Sequence, residues 1–285
     1  MPTQRFSVQG RTYEIPELGR RNREGVYSVE NIADPHNYME TRLVEQDIKV
    51  NGYTSTVNRV ERGTSRCDVL LVGDSTLRPA FTCINRIRGS TVFISSWSGG
   101  KIKDIMALAF MTLDMGAGKR ALVFTAGVND ILGLYKSGRL ADPNKIDGEI
   151  RYVLKPLHDF IAGNRKMFRH LFATEVFFIN ENCRGVDSQD VRVINNTIAG
   201  FNRELTALIE YHGGEIIETS QQFTAGSDGI HLSNRPLPYI VGCRYAGAEP
   251  TVWPSGRSCI FLEYGKFIRG YIEKVFKLNP QWNPS

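Results

Sequence analysis

The sequence has little of what marks several common classes of protein. Its five cysteines form no Cys-x-x-Cys pair and no Cys/His cluster with the spacing of a zinc site. No apolar run approaches the roughly 18 residues of a membrane span, and the longest candidate, residues 105–111, is far shorter. The first 30 residues carry charges throughout and lack the apolar segment of a secretory signal. We therefore expect no metal, no membrane span and reduced thiols in a cytoplasmic protein.

Several nucleotide-binding and hydrolase motifs are also missing. Gly100-Lys101 lacks both the following Ser or Thr and the earlier glycine of a P-loop. No Gly-x-Gly-x-x-Gly follows the first buried strand, so dinucleotide binding has no support. Gly-x-Ser-x-Gly, the nucleophile elbow of the α/β-hydrolases, is absent as well. The sequence thus gives no reason to expect a cofactor.

Composition and charge are those of an ordinary globular protein. Of the 285 residues, 41% are hydrophobic and 23% are charged, which is enough apolar content to bury a sizeable core. The net charge is +5, from 35 Lys and Arg against 30 Asp and Glu. Because the basic residues are dispersed, they support a nucleic-acid partner only weakly.

From residue 67 onward, short apolar runs alternate with longer amphipathic segments. This pattern predicts strands at 68–73, 91–94, 121–125, 175–179 and 215–218. It predicts helices at 77–88, 101–115, 147–168, 188–211 and 261–276. Continuous apolar strands separated by helices indicate a doubly wound α/β fold with a parallel sheet covered on both faces. Such folds carry their sites at the carboxyl ends of the strands.

Two regions depart from this alternation. Residues 1–65 contain Asn51-Gly52 between two short apolar segments, which is a strong hairpin signal. We expect them to form an N-terminal appendage of short strands and loops on a catalytic domain spanning 66–285. Residues 234–258 contain four prolines and no periodicity. We expect this insertion to form a wall or lid over the site, with Tyr239, Tyr245 or Trp253 contributing to substrate binding. The alternative is a surface loop packed away from the pocket.

Polar clusters follow four of the predicted strands. They are Gly73-Asp74-Ser75, Ser98-Gly99-Gly100, Gly127-Val128-Asn129-Asp130 and Asp228-Gly229-Ile230-His231. Each alone has an ordinary structural explanation, such as a helix N-cap for the serine. Because parallel strands end at one edge of a sheet, the four clusters together predict a single site.

The chemistry that these residues permit is acyl transfer. A serine hydroxyl is a weak nucleophile until a base removes its proton, and His231 can serve as that base for Ser75. Asp228 can orient the imidazole and stabilise the imidazolium. The candidate oxyanion donors are the Ser75 N–H, the N–H of Gly99 or Gly100, and the Asn129 amide. Trp97, beside these glycines, is a candidate for the acyl pocket or for packing, with the two roles about equally favoured.

The four clusters, in this order, resemble the four sequence blocks of the SGNH (GDSL-type) hydrolases. The resemblance spans residues 67–233 and the final helix. It implies a flavodoxin-like three-layer sandwich with a five-stranded parallel sheet. It also implies that Ser75 is the nucleophile, His231 the base and Asp228 its orienter, with Gly99 and Asn129 completing the oxyanion hole. Residues 1–65 and the insertion at 234–258 depart from the pattern of the family.

Three functions fit these observations. The first is a serine esterase that removes a short acyl group, such as acetyl, from a carbohydrate, a lipid or another alcohol. The second is an O-acyltransferase that passes the acyl group to an alcohol instead of water. The third is a non-catalytic binding or assembly module, which has no need of an aligned nucleophile and base. The sequence leaves the alcohol, the acyl length and the oligomeric state open.

Overall fold

The computed structural model describes only part of the chain. The described residues are 3–8, 11–16, 42–50, 53–61, 69–77, 86–87, 90–113, 120–220, 225–226, 228–231 and 268. Side chains are described for 69–77, 95–107, 109–110, 121–220, 225–226, 228–231 and 268. The predicted helix at 261–276, apart from residue 268, and the insertion at 234–258 lie outside these ranges.

The described residues form ten strands and four helices. The strands are β1 Thr3–Val8, β2 Arg11–Pro16, β3 Arg42–Val50, β4 Tyr53–Glu61, β5 Val69–Asp74, β6 Arg86–Ile87, β7 Ser90–Trp97, β8 Arg120–Thr125, β9 Phe168–Thr174 and β10 Glu215–Ile217. The helices are α1 Ile102–Leu113, α2 Val128–Lys136, α3 Ile146–Asn164 and α4 Val191–Tyr211. Among the described residues, no helix has the length and apolarity to cross a membrane.

Five strands form a parallel sheet in the order β7-β5-β8-β9-β10. In chain order this is 2-1-3-4-5, the strand order of flavodoxin-like folds. The chain is therefore a flavodoxin-like α/β protein, as the sequence predicts. The order reverses at β5, so the switch point lies between β5 and β8, and ligands in open α/β sheets bind at such a point.

The N-terminal strands extend the sheet. The strands β3 and β4, on either side of Asn51 and Gly52, pair antiparallel, with Val50 opposite Tyr53. The strand β4 then pairs antiparallel with β7, with Val57 opposite Trp97. In the described residues, β1 to β4 thus continue the parallel sheet beyond β7.

The strand β5 is buried on both faces, and this explains its continuous apolar sequence. Leu70 and Val72 belong to the hydrophobic core that the helices α1 to α4 cover. Since side chains alternate along a strand, Val69 and Leu71 point to the opposite face, where both are fully buried. This central strand leads directly into Ser75.

The predicted fourth strand was wrong by about one strand length. The strand is Phe168–Thr174, and the apolar run at 175–179 is the loop that follows it. Two asparagines of α4 satisfy the backbone of that loop in place of a neighbouring strand. Asn202 pairs with both backbone polar groups of Val176, and Asn195 does the same for Ile179. Because these amides replace a ladder, apolar side chains in the loop are buried without being part of the sheet.

Other boundaries also differ from the prediction. The predicted helix at 77–88 is wrong at its end, because Arg86–Ile87 is a short strand that pairs antiparallel with the start of β7. The helix predicted to run to residue 168 ends at Asn164. A short 3-10 turn, Arg165–Met167, then leads into β9, so Phe168 belongs to the sheet.

Candidate active site

Ser75, His231 and Asp228 form a connected row of hydrogen bonds. Ser75 follows the last residue of β5 in a short helical turn at 75–77. Its Oγ lies 2.7 Å from His231 Nε2. His231 Nδ1 lies 2.6 Å from Asp228 Oδ2. The three side chains therefore have the connectivity of a nucleophile, its base and the group that orients the base.

The carboxylate of Asp228 is held by the backbone of its own loop. Its Oδ1 accepts hydrogen bonds from the N–H of Ile230, at 3.1 Å, and from the N–H of His231, at 2.9 Å. Burial raises the pKa of Asp228, but the hydrogen bonds from the His231 ring and from these two N–H groups outweigh it and lower the pKa overall. Asp228 is thus kept ionised opposite the imidazole.

A second carboxyl group, Asp74, is fully buried directly before Ser75. Its Oδ1 accepts hydrogen bonds from the Thr76 N–H, at 2.8 Å, and from the Thr76 hydroxyl, at 2.6 Å. Burial raises the pKa of Asp74, and the hydrogen bonds from Thr76 and Gly127 and the charge of His231 only partly oppose this rise. Asp74 fixes the turn that presents Ser75.

The Asn129 side chain lies between the ends of β5 and β7. Its Nδ2 is 3.2 Å from the carbonyl oxygen of Gly100 and 3.4 Å from Asp74 Oδ2. Asn129 belongs to the first turn of α2, which begins at Val128 just after β8. The structure thus brings this amide to the same sheet edge as Ser75.

The two candidate glycines differ in how their backbone is used. The Gly100 N–H donates to the carbonyl of Trp97 at 3.0 Å and closes a four-residue turn. Gly99, at the third position of that turn, is exposed and has φ of 69°, a left-handed conformation that favours glycine. The turn therefore exposes the Gly99 backbone to solvent, whereas the Gly100 N–H is already hydrogen-bonded within the turn.

The remaining predicted site residues are not all placed. Trp97 is 3% exposed and belongs to the hydrophobic core, which favours packing among the two roles that the sequence leaves open for it. Tyr239, Tyr245 and Trp253 lie outside the described residues. No group of three or more potential metal ligands occurs in the described part of the chain.

Several solved structures are similar to this chain. An acetylxylan esterase from Geobacillus stearothermophilus is 11% identical, with a TM-score of 0.42, over 60% of this chain and 90% of its own. A lipolytic G-D-S-L family protein from Veillonella parvula is 16% identical, with a TM-score of 0.44, over 59% of this chain and 90% of its own. A GDSL-like lipase from Bacteroides thetaiotaomicron is 10% identical, with a TM-score of 0.46, over 74% and 87%. No protein-family model matches the chain, and no curated protein sequence matches it.

The strand order and the four polar clusters at one sheet edge agree on the type of fold. The chain has the flavodoxin-like α/β fold that the resemblance of its sequence to the SGNH (GDSL-type) hydrolases implies. Two carboxyl groups of the strand-end motifs have structural contacts that the sequence did not predict: Asp74 bonds Thr76, and Asp130 Oδ2 accepts a hydrogen bond from the Ile102 N–H at 2.9 Å. Their positions in the sequence could have drawn attention to them, because Asp74 precedes the candidate nucleophile Ser75 and Asp130 follows the candidate oxyanion donor Asn129. Nothing in their spacing distinguishes a buried carboxylate from an exposed one.

Proposed function

We propose that the protein is a serine esterase that cleaves short acyl esters, such as acetyl esters, through an acyl-enzyme. The observation that carries the proposal is the continuous row from Ser75 Oγ through the His231 ring to Asp228, with contacts of 2.7 and 2.6 Å. A purely structural role would not require this arrangement. In it, a half-exposed histidine joins Asp228 to a serine that lies 156 positions away in the sequence.

In the first half of the proposed reaction, Ser75 Oγ attacks the carbonyl carbon of the ester while its proton passes to His231 Nε2. The carbonyl oxygen becomes an oxyanion in the tetrahedral intermediate. His231 then returns the proton to the alcohol oxygen as the carbon–oxygen bond to the alcohol breaks, leaving the acyl group on Ser75. Asp228 stabilises the imidazolium while His231 holds the proton.

In the second half, water attacks the acyl-enzyme and His231 takes a proton from it. The ester bond to Ser75 breaks, the serine regains its proton from His231, and a carboxylic acid leaves. An alcohol in place of water gives an O-acyltransferase from the same intermediate. For either reaction, the proposed substrate is an ester of a carbohydrate, a lipid or another alcohol.

The oxyanion requires donors aimed at the carbonyl oxygen. We assign this role to the N–H groups of Ser75 and Gly99 and to the Asn129 amide. Gly99 is preferred to Gly100 because the single N–H of Gly100 already donates to Trp97 within the turn. The Asn129 amide has two N–H groups, and we assign to the oxyanion the one that makes only the long contact of 3.4 Å with Asp74 Oδ2. Ser75, Gly99 and Asn129 follow β5, β7 and β8, which are adjacent in the sheet.

Hydrolysis of 4-nitrophenyl acetate and covalent labelling by a fluorophosphonate test the proposal. The wild-type protein should release nitrophenol and take the label on Ser75. Ser75→Ala should lose both, whereas Ser188→Ala, at an exposed serine outside the row, should keep both. Label on a different serine with activity retained in Ser75→Ala would refute the assignment. Absence of both turnover and label in the wild type would favour a non-catalytic module, and acyl transfer to an added alcohol would favour the transferase.

A further inference from the structure

The loop that carries Asp228 and His231 has little regular structure of its own. It follows β10, which is only three residues long. Within its described residues, the Gly226 N–H donates to the His231 carbonyl and the Gly229 N–H donates to the Gly226 carbonyl. The contact of His231 with Ser75 spans 156 positions in sequence. The distance between His231 and Ser75 therefore depends on the contacts that hold this loop against the rest of the protein.

Asn180 makes three hydrogen bonds to backbone carbonyls of this loop. Its side-chain Nδ2 donates to the carbonyl of Ala225 at 3.1 Å and to that of Gly226 at 2.8 Å. Its backbone N–H donates to the carbonyl of Gly229 at 3.2 Å. These carbonyls lie on both sides of Asp228 in sequence. Asn180 therefore binds the loop before and after the residue that orients His231.

Asn180 is itself fixed by its own loop. Its Oδ1 accepts a hydrogen bond from the N–H of Asn182 at 2.9 Å, and its carbonyl accepts one from the N–H of Cys183 at 3.1 Å. Every polar atom of this residue is thus engaged. The orientation of the amide follows from this pattern, because its oxygen faces a donor and its nitrogen faces two acceptors.

The two loops also touch through their backbones. A Cβ on Gly229 would lie 2.2 Å from the Cys183 nitrogen and 2.4 Å from its Cα. The segment from Asn180 to Cys183 therefore packs directly against the segment that ends in His231. Asn180 supplies the directional part of this interface.

We infer that Asn180 is a positioning residue for His231 and Asp228. It holds the loop that carries both, so that His231 Nε2 reaches Ser75 Oγ. The inference rests on the proposed esterase function. Within the described residues, the hydrogen bonds of the Asn180 side chain go to Ala225, Gly226 and Asn182 and not to the row of three residues, so it acts through the loop. A misplacement of about 1 Å in such a contact can cost about 100-fold in rate.

Two substitutions separate this role from general stability. Asn180→Asp keeps the oxygen that accepts from Asn182 but replaces the donor with an oxygen that faces two carbonyls. Asn180→Ala removes the same donor, together with the oxygen that accepts from the Asn182 N–H, without adding repulsion. We expect kcat for 4-nitrophenyl acetate to fall about 100-fold in Asn180→Asp and about 10-fold in Asn180→Ala. We expect KM to stay near the wild-type value in both, because neither change alters the surface that receives the substrate.

Asn164→Asp is the matched control. It removes an equivalent amide donor, the one that Nδ2 of Asn164 gives to the Phe160 carbonyl, at the end of α3 and the amino-terminal edge of the sheet. We expect it to lower the melting temperature while kcat remains within about twofold of wild type, since it leaves the anchor at Asn180 in place. Fluorophosphonate labelling of Ser75 should slow in the Asn180 variants and not in the control.

The outcomes are distinguishable from failure of the proposed function. If the wild-type protein neither turns over the ester nor takes the label, the esterase proposal fails first. If the wild type does both, an unchanged kcat in the folded Asn180 variants overturns the positioning role. So does a fall in kcat that Asn164→Asp matches at equal loss of melting temperature. A fall confined to the Asn180 variants supports it.

Discussion

The carboxylate of Asp130 accepts a hydrogen bond from the backbone N–H of Ile102, at 2.9 Å. Ile102 is the first residue of α1, and Asp130 lies in the first turn of α2. The preceding residue, Asn129, donates to the Gly100 carbonyl. Two consecutive residues of α2 thus hold the turn that contains Gly99. The Asn129 amide is therefore linked, through the Gly100 carbonyl, to the turn that presents Gly99.

The burial of Asp130 predicts a pH dependence of stability. Burial raises the pKa of Asp130 from 3.8 to about 7, against the hydrogen bond from Ile102 and the charge of Lys101. Between pH 4 and 7 the unfolded chain loses this proton and the native protein keeps it, so stability falls as the pH rises. Asp130→Asn, which retains an acceptor for Ile102, should lack this loss.

Urea unfolding at several pH values measures the difference. The pKa of Asp130 corresponds to at most about 4 kcal/mol between its two protonation states. From pH 4 to pH 8, Asp130→Asn should gain stability relative to wild type by up to this amount. Parallel stability curves for the two proteins over that range would contradict the prediction.

The sequence predicts the parallel sheet and the row of Ser75, His231 and Asp228 because both depend on local signals. A buried strand that ends in Gly-Asp-Ser is recognisable without knowledge of its neighbours. The run at 175–179 has the same apolar character as a strand, but the amides of Asn195 and Asn202 satisfy its backbone from a helix. These hydrogen bonds from side-chain amides, which stand in for those of a neighbouring strand, join residues that are distant in sequence. The anchor at Asn180 escaped prediction for the same reason, since its partners lie about 45 positions further along the chain.

The two residues that activate Ser75 should be unequally important. His231→Ala removes the proton acceptor, and we expect kcat to fall by about 10⁵-fold or more. Asp228→Asn leaves a base in place but favours the wrong imidazole tautomer, and we expect a smaller loss of about 10⁴-fold. Steady-state kinetics on 4-nitrophenyl acetate compare the two, with circular dichroism to confirm folding. Equal activity of the Asp228→Asn variant and wild type would remove Asp228 from the mechanism.

The Asn129 amide should contribute to the transition state more than to binding. Asn129→Ala removes a donor from the oxyanion, and we expect kcat to fall by about 10²- to 10³-fold with KM little changed. Asn129→Asp should be at least as slow, because a carboxylate cannot donate and repels the oxyanion. Asn144→Ala, at an exposed asparagine, is the control and should retain full activity. A rise in KM with kcat unchanged would place Asn129 in ground-state binding instead.

Gly229, between Asp228 and His231, should not tolerate a side chain. Its φ is 79°, and an added Cβ would meet the Cys183 backbone at 2.2 Å. Gly229→Ala must therefore move the loop away from Cys183, which separates His231 from Ser75, so we expect kcat to fall at least about 100-fold. Gly148→Ala provides the control, because Gly148 lies in α3 with nothing within 4 Å of an added Cβ. That change should leave kcat unaltered and stabilise the fold by up to about 1 kcal/mol. If the two alanine variants show the same kcat, the backbone contact between the two loops has no part in placing His231.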